Sequence, residues 1–430
     1  MVDMLKRTAE RNPNLIRQSV DFHQSGEIPP DTFVIDLDSV ESNAKKMAEE
    51  ARRIGISLYY ITKQIGRNPI AAKAIVKSGI KKAVVIDIDE CRIMHNYGLP
   101  IGHVGHLVQV PNRDLKFVIE EVKPDFMTVY DLNKANEISN KAKEIGAKQN
   151  ILLKIHNPGD FSYPKQISAG GFNNQSLPKV VKHIKERPNL EIGGVTGFPG
   201  FRADISTGEE VPTPNVKSLL NAARDLQKMG VEIKQINLPA DNSSITFPLA
   251  KTVAEEFGKA VCVEPGHGLT GTTPLHMLRP DLPEIPSIVY VSEISHFSDN
   301  TSYAYGGGMM GADPVIGLWS ADYHFFMHAF IGHEGSNVFD NQALVSPVGF
   351  IDYYLPMQVA PSQRANVGDT VVLGFRPQIF VTRSHVAVIK GIHKNKPELI
   401  GLFDSRGNLL DNKTLRCQST VEARGLVDSF

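Results

Sequence analysis

Between residues 58 and 264 the chain repeats one rhythm eight times, a short apolar run followed by an amphipathic stretch. The runs are LYYIT (58–62), AVVID (83–87), VGHLVQV (104–110), FMTVY (126–130), ILLKI (151–155), IGGVTGF (192–198), QINLP (235–239) and AVCVE (260–264). Runs this short and this rich in β-branched residues read as buried strands. The stretches between them, such as 133–145, 215–229 and 247–257, carry helical spacing. Strand and helix in strict alternation build a parallel sheet, because each crossover must carry the chain back to the same end. Eight such units in about 200 residues predict a (β/α)8 TIM barrel.

The flanks do not keep this rhythm. TFVIDL (32–37) reads as one more strand, with Asp38 and Glu41 placed to cap a helix after it. Beyond Thr273 the pattern turns β-like: SIVYVSEI, TVVLGF, QIFVT, HVAVIKGI, ELIGLF and TLRCQSTVEA are alternating or β-branched runs bounded by Gly, Asn and Asp. The expected organisation is a barrel over residues 38–274. A second, mostly antiparallel β-domain is expected from residues 1–37 and 275–430. The segment 320–339 is left without an assignment.

Composition narrows the function. A chain of 430 residues exceeds one typical domain, and its formal net charge of −1 offers no basic surface for a nucleic acid. The first twenty residues are charged throughout and lack the apolar centre of a signal peptide. No run approaches the ~20 apolar residues of a membrane span. Three widely spaced cysteines, Cys91, Cys262 and Cys417, argue against a disulfide framework and fit a reducing cytoplasm.

The chemistry-bearing residues fall at the ends of the expected barrel strands, the rim on which such barrels build their active sites. Lys63 follows the first strand, and Asn68-Pro69 behind it reads as a helix start with Asn as N-cap. A partly desolvated lysine there can attack a carbonyl and form a Schiff base, although a surface lysine in a βα loop is the plain alternative. The last strand ends in VCVEPGHGLTGTTP (261–274), where Gly266, Gly268 and Gly271 would let backbone N–H groups approach a phosphate. The strand before it ends in INLPADNSS (236–244), and Asn242, Ser243 and Ser244 can donate to the same phosphate. A lysine for an aldehyde, donors for a phosphate and the Glu264 carboxylate for a ring nitrogen together suggest pyridoxal 5′-phosphate. The plain alternative for Glu264 is a loop carboxylate or a helix-cap partner.

On these residues the chain resembles the fold-type III pyridoxal-phosphate enzymes, and among them the YhfX-like amino-acid racemases. TFVIDLDSVESNAKKM resembles the family's opening strand and first helix, and ITKQIGRNP its lysine-bearing strand. The resemblance covers residues 31–273 well. It implies that Lys63 is the Schiff-base lysine and that Ser243, Gly266, His267 and Gly268 contact the phosphate. It also likens Glu264 to the ring-nitrogen carboxylate of the decarboxylase branch. Alanine racemases carry an arginine there, and a histidine after a central strand. Here that segment is GGVTGFPGF, in which Phe198 or Phe201 could pack on the ring, and His156 is the nearest polar alternative.

The resemblance further implies a second acid–base group opposite Lys63, a tyrosine supplied by the β-domain of a partner subunit. Tyr303 and Tyr305 in TSYAYGGGMMG are the candidates, so a homodimer with shared active sites is expected. His324, His328, His333 and Glu334 have spacing that could hold a metal, and His385 and Cys417 are similar in type to zinc ligands of the D-serine dehydratase branch. The short His–Cys spacing of that branch is absent, and no metal is expected. The overall expectation is a cytoplasmic, pyridoxal-phosphate-dependent amino-acid racemase working by two-base proton transfer. A decarboxylase is the first alternative, although the catalytic cysteine of that branch is not evident. A non-catalytic, cofactor-binding or regulatory homologue is the second.

Overall fold

The computed structural model describes residues 3–162, 170–204, 206–240, 243–308, 327–346, 352–360 and 363–430. The chain forms two compact units, one of residues 45–62 and 79–266, the other of residues 1–44, 63–78 and 267–430. Among the described residues no helix is long and apolar enough to cross a membrane.

The first unit holds a closed parallel barrel. Its strands are Ser57–Leu58 with Tyr60–Ile61, then Ala83–Val85, Ile101–Val104, Phe126–Val129, Gln149–Lys154, Leu190–Thr196, Gln235–Asn237 and Val261–Val263. Each pairs with its neighbour in the chain. Closure comes from the first strand, interrupted only at Tyr59. Ser57 and Leu58 pair with Cys262 and Val263, while Tyr60 and Ile61 pair with Ala83 and Val84. All strands being parallel, their carboxyl ends share one rim. Several strands are buried at every position, including Ile101–Val104, Phe126–Val129 and Val261–Val263. That is why they read as unbroken apolar runs rather than alternating ones. Gly194 permits a close strand approach, since a Cβ there would stand 1.7 Å from the Gln235 carbonyl oxygen. Two of the returning helices start on side-chain caps. Asp87 accepts from the Glu90 N–H, and Asp131 accepts from the N–H groups of Asn133 and Lys134.

One barrel strand lies earlier than the sequence predicts. The third runs over Ile101–Val104, not 104–110, because Gly105 takes a left-handed φ of +83° and ends it. This brings His103 into the strand and carries His106 into the loop at its end.

In the second unit one antiparallel ring is built from Ile288–Ser298, Thr301–Tyr305, Tyr354–Val359, Gln342–Val345, Met327–Gly332 and Thr370–Leu373, closed by the pairing of Ile288–Ser298 with both Thr301–Tyr305 and Thr370–Leu373. Thr32–Asp36 adds to it antiparallel to Ile288–Ser298 and parallel to His385–Lys390. The N-terminal residues differ from a wholly β reading. Met4–Arg11 and Pro13–Gln24 are helices, and Leu5, Leu15, Ile16 and Val20 pack into a core with Val289, Val372 and Ala387. Two expected strands are absent as strands. QIFVT forms a single 3-10 turn at Ile379–Val381. The end of TLRCQSTVEA opens the helix Thr420–Ser429, where Ser419 and Glu422 make a reciprocal capping box that outweighs the β-like alternation. Part of the unassigned segment is the strand Met327–Gly332.

Candidate active site

The carboxyl rim of the barrel carries a buried polar cluster. Glu264 directly follows the last strand and is fully buried. Its Oε1 lies 2.7 Å from His103 Nδ1 on the third strand. The other ring nitrogen of His103 is 2.6 Å from Thr128 Oγ1 on the fourth, and Asn237 Nδ2 on the seventh is 3.2 Å from His103 Nδ1. His106 Nδ1 stands 3.8 Å from Glu264 Oε2, beyond hydrogen-bond reach, and 3.4 Å from Thr196 Oγ1. Oε2 itself has no hydrogen-bond partner among the described residues, and neither has Asn237 Oδ1. Charged groups are buried in this way only when something answers their charge. A fully buried carboxylate oxygen without a hydrogen bond inside a barrel rim, with His106 no nearer than 3.8 Å, therefore fits a ligand bearing a cationic N–H, and a protonated pyridine ring is such a group.

Phe198, at the end of the sixth strand, sets its ring edge-on to His106 at 6.1 Å, while Phe201 is buried nearby in the chain. His106 is thus a polar ring at this rim that the sequence reading did not single out. His156 lies past the fifth strand, where its N–H donates to the Phe172 carbonyl. Thr62 directly follows the first strand, and its hydroxyl donates to Glu90, which also accepts from the Ile86 N–H. That anchor fixes the residue immediately before Lys63.

Lys154 is a residue that sequence reasoning passed over. It closes the fifth strand with 1% exposure, its Nζ 5.8 Å from the centre of the Tyr130 ring. Burial lowers its pKa from 10.5 to about 8, and the nearby Asp160 charge opposes that only in part. The folded state therefore holds this proton more weakly than the unfolded chain. Stability should rise with pH between about 8 and 10.5 and be penalised by about 3 kcal/mol below that window. Lys154→Met is expected to raise the melting temperature at pH 7, with the gain shrinking toward pH 10.5. Equal melting curves of the two proteins across that range would show that the ammonium is solvated.

In the second unit, Lys63 opens the short 3-10 turn Lys63–Ile65, two residues past Ile61 in sequence, with its Nζ 6.0 Å from the centre of the Phe380 ring. Asn68 then caps the helix Pro69–Ser78 by accepting from the Ala71 N–H. His267 and Gly268 belong to a closed turn: the Thr272 N–H donates to the His267 carbonyl, the Gly271 N–H donates to the Gly268 carbonyl, and His267 Nε2 is 3.2 Å from Gln378 Nε2. Gly271 has φ +63°, and a Cβ there would meet the Ile285 backbone at 2.6 Å. Tyr303 and Tyr305 share one face of Thr301–Tyr305, Tyr303 stacked 4.7 Å from His296 and Tyr305 exposed.

In the first unit, Ser243 is buried at the head of the turn Ser244–Thr246, and Gly266 follows two residues after Glu264. Asn242 and His324 lie outside the described residues. The remaining histidines of 320–339 are spread apart: His328 pairs with Asp3 at 2.5 Å, and the exposed His333 is 3.6 Å from Asp369. His385 is half-buried and Cys417 exposed. Among the described residues, the side chains with metal-ligand spacing are instead His103, His106 and Glu264, whose ligand atoms lie within 4.8 Å of one another.

A family model of the alanine racemase N-terminal domain matches residues 35–274, and one of the YhfX-like C-terminal domain matches residues 289–399. The chain belongs to the alanine-racemase-like family, the fold-type III pyridoxal-phosphate enzymes, and within it to the YhfX-like proteins. YhfX of Escherichia coli (strain K12) is 38% identical over 410 residues, 95% of this chain and 99% of that protein. An alanine racemase of Methanococcus maripaludis is 24% identical over 285 residues, 63% of this chain and 69% of that protein. Among solved structures, D-threonine aldolase from Filomicrobium marinum superposes with a TM-score of 0.63 at 13% identity, over 89% of this chain and 96% of its own. That likeness concerns the fold alone.

Proposed function

We propose that the protein is a pyridoxal-phosphate-dependent amino-acid racemase. The observation that carries the cofactor assignment is Glu264, buried at the strand end with one oxygen held by His103 and the other without a hydrogen bond. When bound, the cofactor withdraws electron density from the substrate α-carbon, so the C–H bond there becomes acidic. Lys63 holds the aldehyde and then serves as one acid–base group. Glu264 faces the ring nitrogen and holds a proton there. Ser243, Asn242, Gly266, His267 and Gly268 bind the phosphate, and His156 offers a polar contact from the fifth strand's loop. Tyr303 or Tyr305 of a partner subunit acts on the opposite face of the α-carbon, which makes the homodimer the working unit. The barrel unit is expected to extend over residues 38–274, and the protein to work in the cytoplasm on a free amino acid.

A decarboxylase is the second reading, favoured by Glu264 itself. A carboxylate at the ring nitrogen supports carbanion formation after CO2 loss as well as after proton loss.

The two readings part on one experiment. Purified protein loaded with cofactor is incubated in heavy water with pooled L- and D-amino acids, followed by chiral separation and CO2 measurement. Racemisation is expected, with deuterium entering the α-position and no CO2. Either Tyr303→Phe or Tyr305→Phe should slow it by roughly a hundred- to ten-thousandfold while leaving the bound cofactor's absorption in place, since Phe keeps the packing and loses only the hydroxyl. Release of CO2 in proportion to substrate consumed would transfer the assignment to the decarboxylase. Full activity in both variants would remove the tyrosines from the mechanism.

A further inference from the structure

We infer that His103 is a positioning residue for Glu264, holding its carboxylate charged and turned so that a cofactor's ring nitrogen keeps its proton. The inference rests on the cofactor reading above and adds to it a residue that no comparison assigns.

The geometry is a buried relay across three strands. Thr128, His103 and Glu264 are 3%, 0% and 0% exposed, joined by contacts of 2.6 and 2.7 Å. A carboxylate can only accept, so the 2.7 Å contact places the proton of this pair on His103 Nδ1. A threonine hydroxyl either donates or accepts, so Thr128 fits Nε2 whether or not that nitrogen is also protonated. In both states of the imidazole the Nδ1–H stays on Glu264. The Asn237 amide fits the same arrangement when turned so that its Oδ1, otherwise without a partner, faces Nδ1–H.

This matters because Glu264 is buried with a single described hydrogen-bond donor. Removing that donor leaves the carboxylate with only His106, 3.8 Å from Oε2 and beyond hydrogen-bond reach, and the ring N–H of a bound cofactor to answer its charge among the described groups. A ring N–H held there would then pass its proton to the carboxylate oxygen, which would leave a neutral acid donating to a neutral ring. No bond other than N–H breaks, none other than O–H forms, and no electrons are exchanged. His103 thereby decides whether the ring is a strong or a weak electron sink, without touching it.

A metal held by His103, His106 and Glu264 is the competing use of these atoms. The 2.7 Å between Nδ1 and Oε1 is a hydrogen-bond distance. Two ligands of one tetrahedral zinc, each ~2.0–2.1 Å from it, stand roughly 3.3 Å apart.

The test reads the ring nitrogen directly. Full-length protein is loaded with pyridoxal phosphate carrying 15N in the ring, and its nitrogen shift is recorded by solid-state NMR at one pH. The wild type is expected at the protonated position. His103→Leu should move toward the unprotonated one, and His103→Gln, whose amide can still donate, should stay near wild type. Thr128→Val, which only loosens the imidazole, should move partway and serves if His103→Leu fails to fold. A protonated shift unchanged in His103→Leu and Thr128→Val, or an unprotonated wild type, overturns the inference while the cofactor reading stands. Failure of the wild type to take up the cofactor overturns that reading and this one with it. Retention of one zinc per chain after dialysis of cofactor-free protein against the metal, lost in His103→Leu, would overturn it in favour of a metal centre.

Discussion

Lys63→Ala is expected to abolish covalent attachment of pyridoxal phosphate. Wild-type protein reduced with borohydride should carry the cofactor on a single peptide containing residue 63, and the variant should carry none. Turnover should fall to background, because the same amine would hold the aldehyde and move a proton. The chain context supports this choice. Lys63 comes two residues after Ile61 of the first barrel strand, and Thr62 before it is anchored by the buried Glu90. The rival amine is Lys154. Burial lowers its pKa to about 8, so it is closer than an ordinary lysine to the neutral form that attacks carbonyls. An adduct that survives Lys63→Ala and disappears in Lys154→Ala would move the cofactor to the fifth strand. Melting curves of both variants separate loss of the amine from loss of the fold.

Much of the barrel was legible because parallel strands buried on both faces leave continuous apolar runs, and eight of them stand out against amphipathic helices. Glu264 was legible for the same reason: it is the first charged residue after such a run and precedes a glycine-rich turn. What stayed hidden depended on contacts between residues distant in sequence. His103 meets Glu264 from 161 residues away, and nothing local marks either as the other's partner. The His-Val-Gly-His spacing at 103–106 was a usable signal. Placing that strand three residues too late made His106 look like a mid-strand residue and left His103 outside the strand. Lys154 was hidden in plain view, since ILLKI reads as an apolar run with one polar interruption. In the β-domain the C-terminal helix escaped because a β-like alternation masked the capping box at Ser419 and Glu422.

Glu264→Gln is expected to keep the cofactor and lose most of the turnover, by roughly a hundred- to thousandfold. The change is small in shape. The introduced amide can still accept the His103 Nδ1–H through its oxygen, as Glu264 Oε1 does at 2.7 Å. Its NH2 then takes the place of Oε2, the buried oxygen without a hydrogen bond. An amide N–H donates to a ring nitrogen's lone pair and so favours the unprotonated ring, whereas a carboxylate favours the protonated one. If Ser243, Gly266, His267 and Gly268 hold the phosphate as proposed, binding through them is expected to survive, so cofactor content measured after alkaline release should match wild type while kcat falls. Glu264→Ala should behave worse, because it leaves His103 Nδ1–H facing a cavity and is expected to lower thermal stability as well. Unchanged kcat in Glu264→Gln would make Glu264 a structural partner of His103 and nothing more. Loss of cofactor in step with activity would make it a binding residue, and the ring-nitrogen assignment would fall.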